Sequence, residues 1–159
     1  MKGQLVFEFV IAAMFFLAMI MYTINYLNNT VFLYSSDYYA NTLESKAWQV
    51  SEILMRNRGV WSGDPPNMVP SVIGLAGDWP VINESKILSL NQFCVNYRSD
   101  LMNLLDIDPE LHGIRIEINE SGSILAACGS LPEGIQNAEV TRFGVSESGK
   151  LLRVRVWYW

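Results

Sequence analysis

The chain opens with an apolar run that has no polar face. Residues 9–36 contain no charged side chain, and Glu8 is the one acid among residues 5–24. About twenty residues of helix span about 30 Å, which is the thickness of a bilayer's hydrocarbon core. The pattern predicts a transmembrane helix over residues 4–27. Lys2 is the one cation before this run, which favours a cytoplasmic N-terminus and a single-pass topology with the rest of the chain outside.

Two other interpretations of this run compete with the membrane helix. A buried core helix in so short a chain would keep one polar face, and this run has none. A secretory signal peptide would be followed by small residues at a cleavage site, whereas here the sequence continues Tyr-Thr-Ile-Asn-Tyr-Leu. We therefore expect the run to remain in the mature protein.

Beyond the run, the pattern changes to that of an amphipathic helix. Apolar residues recur at steps of three and four positions, which places them on one helix face: Ala40, Leu43, Ala47, Val50 and Leu54. No proline or glycine interrupts residues 4–58, so the helix is expected to continue over residues 28–58. The charged residues off this stripe should face water: Glu44, Lys46, Glu52 and Arg56.

Residues 59–159 predict a small antiparallel sheet. Residues 59–80 contain four of the six prolines and are expected to be loop-rich. A short helix is expected over residues 97–105, with Asn96 as its N-cap. Period-two alternation then predicts a meander of about four strands, over 114–118, 123–128, 139–145 and 151–158. Leu152, Val154 and Val156 should face the stripe of the helix. The expected fold class is α+β, with a long N-terminal helix packed on an antiparallel head domain.

Composition and motifs argue against several classes of function. The chain carries a net charge of −5, which argues against nucleic acid as a partner, because binding phosphates requires a basic surface. One histidine and two cysteines do not suffice for a zinc cluster. The sequence contains no Gly-x-Ser-x-Gly motif and no phosphate loop. We therefore expect no enzyme activity, no cofactor and no metal.

Several smaller features have a structural and a functional interpretation. Asp106, Asp108 and Glu110 alternate as calcium ligands do, but they lack the glycine-centred loop, so solvated acids are the better interpretation. His112 stands alone and receives no role. Arg153, Arg155, Trp157 and Trp159 form a cationic aromatic strand face, which could bind a sugar or a nucleic acid but more often covers a sheet by stacking.

Two further features concern covalent modification. Cys94 and Cys128 are an even pair in the expected outside domain, where they form either a disulfide or two buried thiols. Asn28, Asn83 and Asn119 each begin a glycosylation sequon. Asn28 lies close to the expected membrane surface, which would hinder its modification.

The N-terminal residues resemble a known processing signal. Lys2-Gly3-Gln4, Glu8 and the apolar run that follows are similar to the class III signal peptide of archaeal type IV pilins and pilin-like proteins. In that family a prepilin peptidase cuts after the glycine, at the cytoplasmic face of the membrane. The resemblance implies cleavage between Gly3 and Gln4, so that residues 1–3 are the leader and Glu8 lies four positions after the new N-terminus.

The same resemblance implies a type IV pilin-like fold and a series of partners. These are the prepilin peptidase, membrane lipid before assembly, and other pilin subunits in an extracellular filament. Glu8 would dock subunits by pairing with an N-terminal amine. Alternatively, Glu8 is a first-turn acid at the level of the lipid headgroups.

Two other functions stay open. The chain could be a single-pass surface protein whose head domain binds a ligand without assembling. It could also be a minor pilin or pseudopilin of a secretion or uptake machine.

Overall fold

A computed structural model describes residues 2–78 and 80–159, and for residues 2–6 and Leu33 it describes the backbone alone. The chain divides into two units, Met1–Tyr39 and Ala40–Trp159. We call residues 7–39 the apolar segment and residues 40–159 the compact unit. The helices are α1 (Lys2–Arg56), α2 (Glu84–Asn96) and α3 (Arg98–Leu104). The strands are β1 (Val60–Ser62), β2 (Val69–Val72), β3 (Val81–Ile82), β4 (Ile114–Glu120), β5 (Ser123–Cys128), β6 (Ala138–Ser146) and β7 (Leu151–Tyr158).

The amphipathic part of α1 packs as its sequence predicts. Leu43, Ala47, Val50 and Leu54 are at most 2% exposed, and they share one core with Leu152, Val154 and Val156 of β7. Ser51 and Met55 extend the buried face of the helix. The prediction of an α+β fold with this helix packed on a sheet is therefore confirmed.

The C-terminal end of α1 is held by the segment that follows β2. The amide of Leu75 donates to the carbonyl of Leu54 at 2.8 Å, and the amide of Ala76 donates to that of Asn57 at 3.0 Å. The ammonium of Lys86 adds a bond of 2.6 Å to the carbonyl of Arg58. The first two bonds satisfy carbonyls that the end of a helix leaves without a partner, and the third holds the chain just beyond it. The compact unit thus begins inside α1, at Ala40, rather than after it.

The sheet differs from the predicted antiparallel meander. Its spatial order is β3-β6-β7-β4-β5, and β3 pairs with β6 in parallel, so the sheet is mixed and has five strands. In a meander β5 would lie beside β6, but β7 lies beside β4 instead. This arrangement sets Ile116 opposite Val156 and Ile118 opposite Val154, which joins the apolar faces of both hairpins into one surface.

Two elements in the middle of the chain add to what the sequence predicts. Residues 59–80, expected to be loop-rich, contain the hairpin of β1 and β2, which is fastened by a bond of 2.7 Å from Trp61 Nε1 to the carbonyl of Gly74. Helix α2 was not predicted. Its N-cap is Asn83, whose side-chain oxygen accepts a bond of 3.0 Å from the amide of Lys86.

The predicted helix over 97–105 corresponds to α3, but its predicted cap is wrong. Asn96 is the last residue of α2, and its Nδ2 donates to the carbonyl of Gln92 at 3.1 Å. Tyr97 occupies the N-cap position of α3 without a side-chain hydrogen bond. Because two helices meet at this point, Asn96 closes the first helix instead of opening the second.

The two edges of the sheet differ in how their backbone groups are covered. At β5, the amide of Ala127 donates to Oδ1 of Asn91 at 3.1 Å, so α2 covers this edge. At β6, β3 pairs with Val145 and Ser146 alone. Pro80 has no N–H with which to extend that ladder. Among the described residues, β6 before Val145 therefore has no strand partner on its β3 side.

Candidate functional site

The apolar segment exposes its large side chains. Phe9, Phe15 and Phe32 are 73–74% exposed, and the same holds in lesser degree for the aliphatic residues between them. A helix over Phe7–Arg56 is long and apolar enough to cross a membrane, and its most apolar window has a mean hydropathy of 2.1 with none of it buried in the protein. One long apolar N-terminal helix that could span a membrane is therefore present.

The two threonine hydroxyls of this segment are satisfied within the helix. Thr23 Oγ1 donates to the carbonyl of Met19, and Thr30 Oγ1 donates to that of Tyr26, each at 2.8 Å. Tyr22 and Tyr26 stack with ring centroids 6.4 Å apart. A hydroxyl that is bonded to its own helix does not need a partner in the surroundings. Between Phe9 and Ile24 the outer surface of the segment is accordingly apolar apart from the hydroxyl of Tyr22, and exposed polar side chains follow from Asn25 onward.

Glu8 is exposed on the first turns of α1, and its carboxylate has no hydrogen bond or ion pair to another described residue. Gly3 and Gln4 lie in the same helix, and the side chain of Gln4 is outside the described part of the chain. Glu8 lies four positions after Gln4 along the helix, a rise of about 6 Å. The chain itself thus provides a carboxylate in an apolar stretch without a described counter-charge.

A cluster of polar residues covers the sheet face that points away from α1. Glu117 is 4% exposed and accepts hydrogen bonds from Arg115 at 2.9 Å, from Asn119 at 2.7 Å, and from Arg155. Burial raises the pKa of Glu117, but the bonds from Asn119, Arg115 and Arg155 outweigh it and lower that pKa to about 2. The carboxylate is therefore ionised at neutral pH and holds two arginines in place.

The cationic aromatic strand face is part of this cluster. The guanidinium of Arg155 lies 4.9 Å from the ring centre of Trp157, and that of Arg115 lies 5.8 Å from it. Trp157 is 7% exposed, so the arginines cover the ring instead of offering it to a ligand. Arg153 is exposed beside this cluster, and Trp159 bonds through its backbone to Gly113. The arrangement fits the structural interpretation of these residues.

Cys94 of α2 and Cys128 of β5 form a disulfide, with their Cα atoms 5.5 Å apart. It joins α2 to the edge of the sheet. Together with the bond between Asn91 and Ala127, it fixes α2 along β5.

The three sequons have different surroundings. Asn28 is exposed on α1. Asn83 caps α2, and its Nδ2 also donates to Glu147 at 2.7 Å. Asn119 is 4% exposed, and its Nδ2 donates to Glu117. The folded chain therefore does not present the amide of Asn119 to a glycosylating enzyme.

The acidic residues near Asp108 do not converge on a cation site in the described part of the chain. Asp108 Oδ1 instead accepts a bond of 2.9 Å from the amide of Glu110, and Asp106 has a positive φ of 56°. His112 stacks on Tyr158 with ring centroids 5.2 Å apart. These residues shape the turn before β4.

One feature was not foreseen from the sequence. A groove of about 560 Å³ opens between β2 and the two short helices, and its lining includes Phe93, Tyr97 and Asp100. The signal that could have located it is the pair Phe93 and Tyr97, four positions apart on a helix face. The spacing did not indicate a site, because no helix was predicted over Phe93.

Comparison of this chain with protein-family models, with curated proteins and with solved structures finds no match. Its function has to be argued from its own residues. Those residues supply a long apolar helix, an acid without a described partner near the start of that helix, and a compact unit whose sheet is covered on one face by the same helix.

Proposed function

We propose that this chain is a pilin-like subunit of a type IV filament of the archaeal kind. It is cut by a prepilin peptidase after Gly3 and assembles through the apolar segment. The observation that carries the proposal is the exposure of this segment together with Glu8 near its start. A membrane anchor alone explains the apolar surface only in part.

The length of the apolar surface supports assembly. The segment has 33 residues from Phe7 to Tyr39, about 50 Å of helix, whereas a bilayer core takes about 30 Å. Val31, Phe32 and Tyr38 lie beyond the part that a bilayer would cover, and they are 65%, 74% and 75% exposed. Neighbouring subunits packed along the helix would cover them. In lipid such packing depends on close van der Waals contact, because lipid tails are as apolar as the helices.

Glu8 supports a defined register between subunits. A charged side chain in the membrane costs about 2.5–3.5 kcal/mol on insertion scales, so it benefits from an opposite charge. Cleavage after Gly3 would create an α-amine at Gln4. A neighbouring subunit, displaced along the filament axis, would bring its amine to this carboxylate. Such a pair would favour one stagger of the subunits over others.

The first experiment identifies the mature N-terminus. Intact mass and N-terminal sequencing of the protein from its native membrane should give a chain that begins at Gln4. Gly3→Phe should leave the precursor uncut, because the site requires a small residue. A native chain that begins at Met1, or beyond residue 20, would contradict the proposal.

The second experiment tests docking. Glu8→Ala should insert into the membrane as well as the parent chain does, because it removes a charge, and should yield few filaments. Glu44→Ala is the matched control, since Glu44 is an exposed acid on the same helix but within the compact unit. Filaments of Glu8→Ala at parental yield would remove the docking role. A loss of insertion would assign Glu8 to topology instead.

A second candidate is a single-pass surface protein whose compact unit binds a ligand without assembling. The groove beside Tyr97 favours it, because a filament subunit needs no such site. A minor pilin or pseudopilin combines both roles. Cleavage at Gly3 with no self-assembly would favour the minor pilin, and the absence of cleavage would favour the surface protein.

A further inference from the structure

The groove of about 560 Å³ in the compact unit has an apolar floor and a polar rim. Its apolar residues come from three elements: Val69 and Pro70 of β2, Phe93 of α2, and Leu104 of α3, with Tyr97 at the junction of the helices. A smaller hollow of about 190 Å³ continues it and shares Val69, Phe93 and Tyr97. Small-molecule sites are typically concave, mostly apolar, and edged by a few polar groups.

An aromatic ring is held open to this groove. Tyr97 is 52% exposed, while Phe93, four positions before it, is 6% exposed. The two rings stack with centroids 5.4 Å apart and planes inclined by 28°. Phe93 thus supports Tyr97 from within the compact unit, and the rest of the Tyr97 ring remains available as a flat apolar surface.

The rim consists of side chains that have hydrogen-bonding capacity to spare. They are Asp100 and Asn103 at the larger hollow, and Asn67, Gln92 and Asn96 at the smaller. Apart from the bond of Asn96 to the carbonyl of Gln92, none of these side chains has a hydrogen bond to another described residue. Each amide offers both a donor and an acceptor.

The charge of the lining restricts the ligand. Asp100 is the one ionisable acid or base other than Tyr97 among the described residues of both hollows. An anion would meet a carboxylate and no cation. A ligand with many neutral donors and acceptors would match the amides of the rim.

Two walls of the groove, α2 and the hairpin of β1 and β2, are tied to the rest of the compact unit. The disulfide of Cys94 and Cys128 begins at the residue next to Phe93 and ties α2 to β5. Pro70 lies opposite Trp61 in the hairpin of β1 and β2, and Trp61 is bonded in turn to the carbonyl of Gly74. A preorganised site loses less conformational entropy on binding than a mobile one.

We infer that this groove binds a neutral saccharide. A sugar ring has an apolar face of C–H groups that can lie on Tyr97, and hydroxyls around its edge that can pair with the amides and with Asp100. Two adjoining hollows would take neighbouring sugar units. The site does not depend on the filament, because its lining belongs entirely to the compact unit.

The test uses the full-length chain in a zwitterionic detergent that has no sugar headgroup. The probes are trisaccharides of glucose, galactose, mannose and N-acetylglucosamine, with binding measured by saturation-transfer NMR and calorimetry. At least one probe should bind with a Kd of about 0.1–1 mM. Raising the salt from about 50 to 500 mM should leave the Kd unchanged, because the ligand is neutral.

Variants locate the binding. Tyr97→Ala should weaken it by about tenfold or more, and Tyr97→Phe should keep it within about threefold, because the ring face is retained. Asn103→Ala should weaken it through the rim alone. Val95→Ala is the matched control, since Val95 is 75% exposed on α2 and outside the lining.

Three results would overturn the inference. The first is that no probe binds at about 10 mM. The second is binding that Tyr97→Ala and Asn103→Ala leave unchanged while near-UV circular dichroism shows both variants folded. The third is a proline-rich peptide that binds in a Tyr97-dependent manner where every saccharide fails.

Discussion

Helix α1 contains two regions with the same kinds of apolar residue in opposite surroundings. Leu17, in the apolar segment, is 57% exposed, while Leu54, in the compact unit, is fully buried. The difference follows from periodicity. A stripe of apolar residues every three or four positions can be covered by one sheet, whereas a helix that is apolar on all sides cannot. The second kind of region requires surroundings that the chain does not supply, either lipid or other helices.

The largest effect is expected when one of these two regions of α1 is removed at a time. A chain shortened to residues 40–159 should unfold cooperatively in urea, because its core is complete. A chain shortened to residues 60–159 lacks Leu43, Ala47, Val50 and Leu54, so the apolar face of its sheet is bare, and it should aggregate. Near-UV circular dichroism measures both. Equal midpoints for the two chains would show that α1 does not belong to the core.

A matched pair of leucines on the same helix sharpens the contrast. Leu54→Ala should lower the free energy of unfolding by about 2–5 kcal/mol, because it leaves a cavity in the core. Leu17→Ala should change it by less than about 0.5 kcal/mol, because that side chain is exposed. Urea denaturation of the full-length chain in detergent, followed by tryptophan fluorescence, compares them. Similar losses for both variants would mean that the apolar segment also stabilises the compact unit.

A low pH should reduce the stability of the compact unit and leave the helix of the apolar segment unchanged. The pKa of Glu117 is about 2 in the folded protein against its usual 4.5, so its contribution to stability is present above pH 4.5 and is lost as the pH falls towards 2. The expected loss is about 2–3 kcal/mol. Urea midpoints from pH 6 to about pH 2 measure it, while far-UV circular dichroism follows the helix.

Glu117→Gln is the control for this pH dependence. It cannot ionise, so the slope of stability with pH over this range should flatten. The variant should be less stable than the parent chain at neutral pH, because two arginines lose their counter-charge, and this difference should narrow towards pH 2. A slope equal to that of the parent chain would show that other carboxylates cause the loss.

The smallest effect concerns a helix cap. Asn83→Ala should lower the free energy of unfolding by about 1 kcal/mol, because the first turn of α2 loses the bond from the amide of Lys86 to Oδ1 of Asn83. Asn28→Ala, a second sequon residue on the exposed part of α1, should leave stability unchanged. Equal stability of these two variants in the unglycosylated recombinant chain would show that the Asn83 cap does not stabilise α2.

Features that depend on local periodicity could be predicted from the sequence. The buried stripe of α1 and the strands with alternating isoleucines or valines required only a count of positions. Helix α2 is not evident from the sequence, because Asn83-Glu84-Ser85 is both a sequon and the start of a helix with Asn83 as its N-cap. The strand order could not be predicted, since pairing β7 with β4 depends on contacts between distant parts of the chain.

The candidate sites also differ in whether a local sequence pattern or distant contacts define them. Gly3, Gln4 and Glu8 were selected by a linear motif, and they remain predictions because their partners would belong to other molecules. The burial of Glu117 was not foreseen, because in the sequence it is simply the polar position between Ile116 and Ile118. Its surroundings depend on Arg155, 38 positions away, so no local pattern reveals them.

The threonines of the apolar segment affect how it could move between environments. Thr23 and Thr30 keep their hydroxyls bonded to carbonyls of their own helix. A helix that passes from lipid to a protein bundle would therefore exchange one apolar contact for another without breaking these bonds. Along most of its length such a surface would pack equally well at many axial positions of a neighbouring helix, so it would not define their register. Glu8 is the one charged side chain of residues 7–36, so in the proposed filament it would be the main determinant of where one subunit stops against the next.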